Sequence, residues 1–248
     1  MVRKYRSPFL KEVIVRLDFS SPITQLAKTL PQRLKDMVLP SFPISEPKDF
    51  IGKELEVTKH TTKEKILEGT NWFFHSTDRQ RTLAVFIDNV NITYREYDSF
   101  DVLKQDFLPI VEELFGTYKD LEGKRLGLRY INEITLSENS VLDWTKYLDE
   151  RLLASLNFPR DPSKICRAFN NLELNYGDLI IRFQYGMYNA DYPATIRKKS
   201  FILDYDAYYK GPQNLEDVKH NIDIFHEAIQ TLFEYSISDE LRILMGVE

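Results

Sequence analysis

Two carboxylates, Asp204 and Asp206, stand two positions apart in a stretch whose pattern is typical of a β-strand. Because side chains alternate between the faces of a strand, both carboxylates point to the same side. Such a pair can bind Mg²⁺ or share a proton. No third ligand lies nearby in the sequence, and Arg129 and Arg182 are candidate salt-bridge partners across the sheet. We therefore interpret the pair as structural and keep a metal-assisted hydrolase or nuclease as the alternative.

A wider set of polar residues is predicted to share that face of the sheet. If the face is concave, it could hold a polar ligand, a peptide or a nucleotide. Antiparallel sheets commonly leave one face in water, so a solvated face is the interpretation we favour. The candidates are Arg16, Asp18, Arg129, Glu133, Arg182, Gln184, Asp204 and Asp206, and Asn132 is added from the mostly apolar face of the central strand.

A long loop at 188–199 is the second candidate surface. It combines Tyr188 and Tyr192 with the basic run that includes Arg197 and Lys198. Aromatic rings stack on bases and cations neutralise phosphates, so the loop could contact a nucleic acid strand. Short basic runs also give many false matches, and an ordinary hairpin loop with solvated charges is the interpretation we favour. Long loops are nonetheless where function concentrates.

No common catalytic signature is present. The sequence has no phosphate-binding loop, no dinucleotide-binding glycine motif, no zinc-protease motif, no nucleophile elbow and no paired-cysteine motif. His220 and His226 are six positions apart on the last long helix, so they are not an i, i+4 metal pair. His226 lies beside the apolar stripe and is interpreted as a hydrogen-bonded packing residue. We expect no catalytic residue, no metal site and no cofactor.

Composition favours a globular protein with modest negative charge. The 248 residues are 43% hydrophobic and 29% charged, and the net charge of −5 disfavours bulk binding to nucleic acid or to an anionic membrane. Cys166 is the only cysteine, which excludes an intramolecular disulfide and suits a reducing cytoplasm. We expect no signal peptide and no membrane span. Another protein or a polar ligand is the expected partner.

The elements that position these residues are organised around a strand at 126–136. Its alternation places Leu128, Tyr130, Asn132 and Ile134 on one face, and Arg129 and Glu133 on the other. Further strands are predicted at 9–19, 66–76, 81–87, 90–97, 166–174, 179–188 and 199–207, with an irregular edge strand at 54–60. Helices are predicted at 20–38 with a break at Pro31, at 98–116 with Asp98 as its cap, at 142–153, from the cap Asn214 onward, and at 239–245.

This order predicts an α+β fold made of two copies of a β-α-β-β-β-α unit. The copies would span 1–122 and 123–248, in one compact molecule. The expected architecture is antiparallel, curved sheets with the long helices packed on one face. In element order it is similar to TATA-binding-protein-like saddles and to helix-grip domains, a likeness that implies no function.

Several segments together resemble a sporadically distributed prokaryotic family of uncharacterised proteins of about the same length. They are the opening Pro8 to Phe19, the central Leu128 to Asn132, the strand Phe201 to Asp206, and the closing stretch from His226 to Gly246. The resemblance implies a bacterial or archaeal cytoplasmic protein, and the sporadic distribution hints at mobile or defence-related genes. It implies no catalytic residues.

Overall fold

The computed structural model describes residues 5–57 and 61–246, without the side chains at 53–57, 62–65 and 67. It shows an α+β protein with a large antiparallel sheet. The strands are β1 (Leu10–Phe19), β2 (Ile44–Ser45), β3 (Lys48–Val57), β4 (Thr62–His75), β5 (Arg81–Val85), β6 (Asn89–Tyr94), β7 (Gly123–Thr135), β8 (Ala168–Asn175), β9 (Ile180–Met187) and β10 (Ser200–Gln213). The α-helices are α1 (Gln32–Val38), α2 (Phe100–Thr117), α3 (Ala154–Asn157), α4 (Leu215–Ser236) and α5 (Asp239–Met245).

The chain divides into two compact units. Unit 1 comprises Met1–Val13, Gly127–Tyr209 and His220–Glu248, and unit 2 comprises Ile14–Leu126 and Lys210–Lys219. The division near residue 126 falls four positions from the expected one at 122–123. The units also include exchanged segments that the expected division does not have, because β1, β7 and β10 each run through both. Within the described residues, no helix is both long enough and apolar enough to cross a membrane.

Unit 1 is built on strands in the order β7-β10-β9-β8. On its core face, the ring of Tyr205 stacks on Phe183, with 4.5 Å between centroids and 4° between planes. The Tyr205 hydroxyl donates to Ser236 Oγ of α4 at 2.9 Å, which joins the long helix to this face. Burial of the ring raises the pKa of Tyr205. The first part of β1 pairs with β7, where the Glu133 N–H donates to the Phe9 carbonyl at 2.9 Å.

Unit 2 has strands in the order β2-β4-β5-β6-β1, and β3 pairs with β4. A buried polar group, Asp106, joins α2 to two of these strands. Its Oδ2 accepts from Arg81 of β5 at 2.9 Å and from the Tyr94 hydroxyl of β6 at 3.1 Å. Burial, followed by the Asp106 charge, raises the pKa of Tyr94. The carboxylate is therefore satisfied in a site that would otherwise make its charge costly.

Helix ends follow local chemistry closely. Ser99 caps α2 by accepting from the Val102 N–H, so the predicted cap at Asp98 is one position too early. At the start of α4 the predicted cap is confirmed. Asn214 Oδ1 accepts from the Asp217 N–H at 3.0 Å, while Asp217 Oδ2 accepts from the Asn214 N–H at 2.9 Å. This reciprocal pair is a capping box, which satisfies two otherwise unpaired backbone donors.

Some predicted elements were wrong. No α-helix covers 142–153; turns there lead into a 3₁₀ helix at Glu150–Leu153 and the short α3. In the first half, five strands instead of three separate α1 from α2. The weak strand predicted at 54–60 overlaps β3 up to residue 57, and 58–60 lie outside the described residues. The predicted break at Pro31 is confirmed, since α1 begins directly after it, but the part of the predicted helix before Pro31 is only a 3₁₀ helix at Thr24–Ala27.

We expect Asp106→Asn to lower the free energy of unfolding by about 3 kcal/mol. The amide cannot balance the Arg81 charge, which then lies against a buried site without its counter-ion. Asp101→Asn, in the exposed first turn of the same helix, is the matched control and should cost less than about 1 kcal/mol. Urea denaturation of both variants measures the difference. Equal losses would show that the buried pair contributes nothing beyond an exposed helix charge.

Candidate functional site

Unit 1 brings six of the predicted polar residues to one face. In the β10–β9 register, Asp204 stands opposite Gln184 and Asp206 opposite Arg182. Arg129 and Glu133 come from β7 on the same side, as their contacts with β10 show. Asn132 lies on the opposite, core face, where its Nδ2 donates to the Leu203 carbonyl at 3.3 Å. Asn132 is therefore buried and holds the backbone of β10, apart from the polar face that carries the other candidates.

Arg16 and Asp18 lie in unit 2, on β1. An Arg16 nitrogen is 2.6 Å from Asp18 Oδ1, so the two residues form a local pair along one strand. The Arg16 side chain is exposed. Pairs of this kind contribute little to stability, and nothing in this one selects a ligand.

The strongest interaction on the face joins β7 to β10. Arg129 Nε donates to Asp204 Oδ1 at 2.8 Å and an Arg129 terminal nitrogen donates to Oδ2 at 2.6 Å. The geometry is bidentate, the arrangement that matches a guanidinium to a carboxylate best. The Asp204 side chain is only 8% exposed, and the hydrogen bonds to Asp204 raise the pKa of Arg129. Both Asp204 oxygens are thus committed to the arginine.

The neighbouring charges are also matched. An Arg182 terminal nitrogen lies 3.5 Å from Asp206 Oδ2, and its Nε lies 3.7 Å from Glu173 of β8. Glu133 accepts from Lys11 and from Ser200 Oγ. The hydrogen bond from Lys11 lowers the pKa of Glu133. The face therefore carries a set of cross-strand ion pairs, as the structural interpretation of these residues predicts.

A metal centre at Asp204 and Asp206 gains no support from this geometry. Within residues 5–57 and 61–246, no group of three or more His, Cys, Asp or Glu side chains is arranged to hold a metal ion. Glu133 is engaged by Lys11 instead of converging with the aspartates. His226 lies elsewhere, with Nδ1 3.1 Å from the Tyr130 hydroxyl. That contact agrees with its interpretation as a hydrogen-bonded packing histidine.

The conformation of the loop at 188–199 is fixed by Asn189. This residue adopts the left-handed region, with φ of 57°, which asparagine tolerates better than most residues. Its Nδ2 donates to the carbonyls of Cys166 at 2.8 Å and Ala194 at 2.7 Å. The Ile196 N–H donates to the Ile165 carbonyl at 3.0 Å. The loop is thus attached to the segment that leads into β8.

That attachment brings Arg167 against the loop tyrosines. The guanidinium carbon of Arg167 lies 4.6 Å from the ring centroid of Tyr188 and 4.3 Å from that of Tyr192. Its Nε donates to the Tyr188 carbonyl at 2.9 Å. Phe169, two residues further along the chain, contacts Tyr188 edge to face, with 6.2 Å between the ring centroids. The rings of Tyr188 and Tyr192 remain about half exposed, at 52% and 54%.

Gly186 explains why the segments approach so closely. It stands opposite Phe169 in the β8–β9 register and has a φ of 134°. A Cβ there would lie 2.1 Å from the Ala168 carbonyl oxygen. Only glycine fits at this position, so its presence lets the start of β8 carry Arg167 and Phe169 next to the loop.

Two further exposed cations lie where the loop is attached to the segment before β8. Lys164 and Arg197 flank the backbone hydrogen bond between Ile165 and Ile196, and both are exposed. Neither forms an ion pair within the described part of the chain. The aromatic–basic patch is defined here as six residues: Lys164, Arg167, Phe169, Tyr188, Tyr192 and Arg197. Lys198 is also exposed beside the patch, and it lies near enough to Glu133 to help lower the pKa of that carboxyl.

Lys199, at the end of the basic run, is buried, although the charges of this loop were interpreted as solvated. Its side chain is 2% exposed, and Nζ donates to Glu138 at 2.8 Å and to the Ser140 carbonyl at 3.2 Å. Nζ also donates to the Asp143 carbonyl and lies 5.1 Å from the centroid of the Trp144 ring. The ammonium thus binds two carbonyls at the start of the segment that forms turns in place of the predicted helix at 142–153.

Arg167 and Phe169 were missed by sequence reasoning. Residues 166–174 were assigned to a strand, which is nearly correct, but a strand assignment does not show which loop meets its first residues. The usable signals were Asn189, a residue that tolerates a positive φ, and Gly186 inside a strand. Both mark unusual backbone on either side of Tyr188.

In comparison with known proteins, no family model matches the chain, and no curated protein matches it significantly. The resemblance to the sporadically distributed prokaryotic family therefore stays a prediction.

We expect Asp204→Asn to lower the free energy of unfolding by about 2–3 kcal/mol, since it leaves the Arg129 charge without its counter-ion. Combining it with Arg129→Met should recover part of that loss and give a coupling energy of about 1–2 kcal/mol. Asp18→Asn, which removes the more exposed Arg16 pair, is the control and should cost less than about 1 kcal/mol. Denaturant titration measures these three variants and Arg129→Met alone, which completes the cycle. Additive losses in the double variant would contradict the bidentate pair.

A second prediction concerns acid stability. Hydrogen bonds from Lys199 and then from Tyr147 lower the pKa of Glu138 below its usual value near 4.5. A depressed folded-state pKa gives stability that is present above about pH 4.5 and lost as the pH falls through the folded value. Glu138→Gln should therefore destabilise the protein at pH 6 and make less difference at pH 3. A constant difference between the two pH values, measured by denaturant titration, would contradict this linkage.

Proposed function

We propose that the protein is a non-catalytic binding protein that holds its partner through the aromatic–basic patch of unit 1. The observation that carries the proposal is the Arg167 guanidinium lying against two half-exposed tyrosine rings. Tyrosine and arginine are the side chains that most often dominate binding energy at macromolecular contacts. The hydrogen bonds of Asn189 fix the backbone beside them, which reduces the conformational freedom that is lost when a partner binds.

The polar sheet face is the less favoured surface. Its charges are paired across strands, and a ligand there would have to break the Arg129–Asp204 interaction before it gained one of its own. The same pairing counts against the metal-assisted hydrolase or nuclease, because it occupies the two carboxylates that such a mechanism needs. The patch offers rings and cations without that cost.

The same proposal includes an origin by duplication and a prokaryotic, cytoplasmic setting in defence or mobile-element genes. Duplication is supported by the strand orders, in which the opening strand of each half lies beside the last strand before the long helix, β1 beside β6 and β7 beside β10. A saddle-like or helix-grip-like architecture belongs to this part of the proposal. The setting is supported by the single Cys166 and by the family resemblance described above.

We expect native mass spectrometry of the protein purified from its own host to reveal a bound partner or ligand. Arg167→Ala combined with Tyr192→Ala should remove that bound mass, because the pair forms the centre of the patch. The matched control is Tyr176→Ala, which removes a 61% exposed tyrosine from the β8–β9 turn. It should leave the bound mass in place.

Two results would overturn the proposal. One is that native mass spectrometry gives the same result for the wild type and the patch variant, either because both keep the bound mass or because neither carries one. The other is turnover of a nucleotide or nucleic acid by the purified protein that Asp204→Asn abolishes while the patch variant retains it.

A further inference from the structure

The rings of the patch are arranged for stacking. Tyr188 and Tyr192 contact one guanidinium and expose about half of their surface, and Phe169 is 38% exposed beside Tyr188. An aromatic face binds any nucleobase, and substitution of such a ring costs about 1–3 kcal/mol per stacked base. Tyr188 and Tyr192 both contact Arg167, and Phe169 contacts Tyr188. The three rings together provide room for successive bases.

The charge of the patch is opposite to that of the whole chain. Lys164, Arg167 and Arg197 are exposed cations, and Asp191 is the exposed acid of the same loop. The chain as a whole carries −5. A ligand attracted to this place must therefore be anionic locally, since the rest of the surface repels polyanions at long range.

Aliphatic surface is scarce where the rings and cations meet. Ile196 is buried and Ile165 is half-buried, and the Ile196 N–H donates to the Ile165 carbonyl. A stable protein partner commonly needs about 800 Å² on each side with a dry apolar centre. Rings that alternate with cations fit bases that alternate with phosphates more directly.

We propose that the aromatic–basic patch binds single-stranded nucleic acid, which deepens the proposed binding function and rests on it. Bases stack on Tyr188 and Tyr192, while Lys164 and Arg197 neutralise phosphates. A duplex keeps its bases stacked inside and offers no free faces to these rings, so it binds more weakly. Since about three cations take part, the logarithm of affinity falls with the logarithm of salt concentration with a slope of about −2.

Fluorescence anisotropy of the full chain tests this proposal. The probes are labelled 15-nucleotide oligothymidylate and oligouridylate, a duplex of the same length, and a labelled glutamate 15-mer. Both single strands should bind at low salt, and a difference between them shows which nucleic acid the site prefers. The duplex and the acidic peptide should bind at least tenfold more weakly.

Substitutions assign the binding to the patch. Tyr188→Leu should weaken single-strand binding about tenfold, which corresponds to one lost stack. Arg197→Ala should reduce the salt slope by about 0.7, the share of one phosphate contact. Tyr176→Leu, at the far end of β8, should change neither quantity. Circular dichroism spectra that match the wild type show that each variant is folded, and Tyr192→Leu replaces Tyr188→Leu if that variant fails to fold.

The inference is overturned if single strands do not bind at low salt, if the duplex or the acidic peptide binds as tightly, or if Tyr188→Leu changes nothing. These outcomes leave the proposed function standing when the host-purified protein still loses a bound partner in the patch variant. The proposed function itself fails when that mass comparison shows no difference, or when the purified protein shows turnover that Asp204→Asn abolishes and the patch variant retains.

Discussion

The Arg129–Asp204 pair is the interaction on which the polar face of unit 1 depends. A carboxylate that is 8% exposed would be unfavourable without a counter-charge. The bidentate guanidinium supplies that charge and joins β7 to β10 at the centre of the unit. Both oxygens of the Asp204 carboxylate accept from Arg129. The residue that suggested a metal site in the sequence therefore connects two strands.

The pairing also decides where binding can occur. Two residues further along β10, Asp206 also faces an arginine, and its Oδ2 lies 3.5 Å from a terminal nitrogen of Arg182. Among the described residues, Lys164 and Arg197 beside the 188–199 loop are exposed cations that form no ion pair. There Asn189 and Gly186 hold unusual backbone conformations, which bring Arg167 to the tyrosine rings. A surface shaped in this way can bind without reorganising, and this property separates it from an ordinary solvated loop.

Local sequence signals predicted much of the fold. Alternation along 126–136 correctly separated the buried set that includes Leu128 and Tyr130 from the polar set that includes Arg129, because the period of a strand is two. The Asn214 cap and the break at Pro31 were also correct, since each depends on a few neighbouring residues. The helix predicted at 142–153 was wrong, and near the start of that segment the Asp143 carbonyl accepts from the distant ammonium of Lys199, a contact that no local pattern predicts.

The sequence by itself therefore determined the α+β class, the faces of the strands and most helix ends, since these follow from periodicity and caps within a few residues. It also determined that Asp204 and Asp206 point the same way. Only the tertiary structure decided that Asp204 is neutralised by Arg129, 75 positions away, and that Lys199 is buried. It alone brought Arg167 to Tyr188 and Tyr192. Contacts between strands that are far apart in the sequence depend on strand order, which the alternation within each strand does not specify.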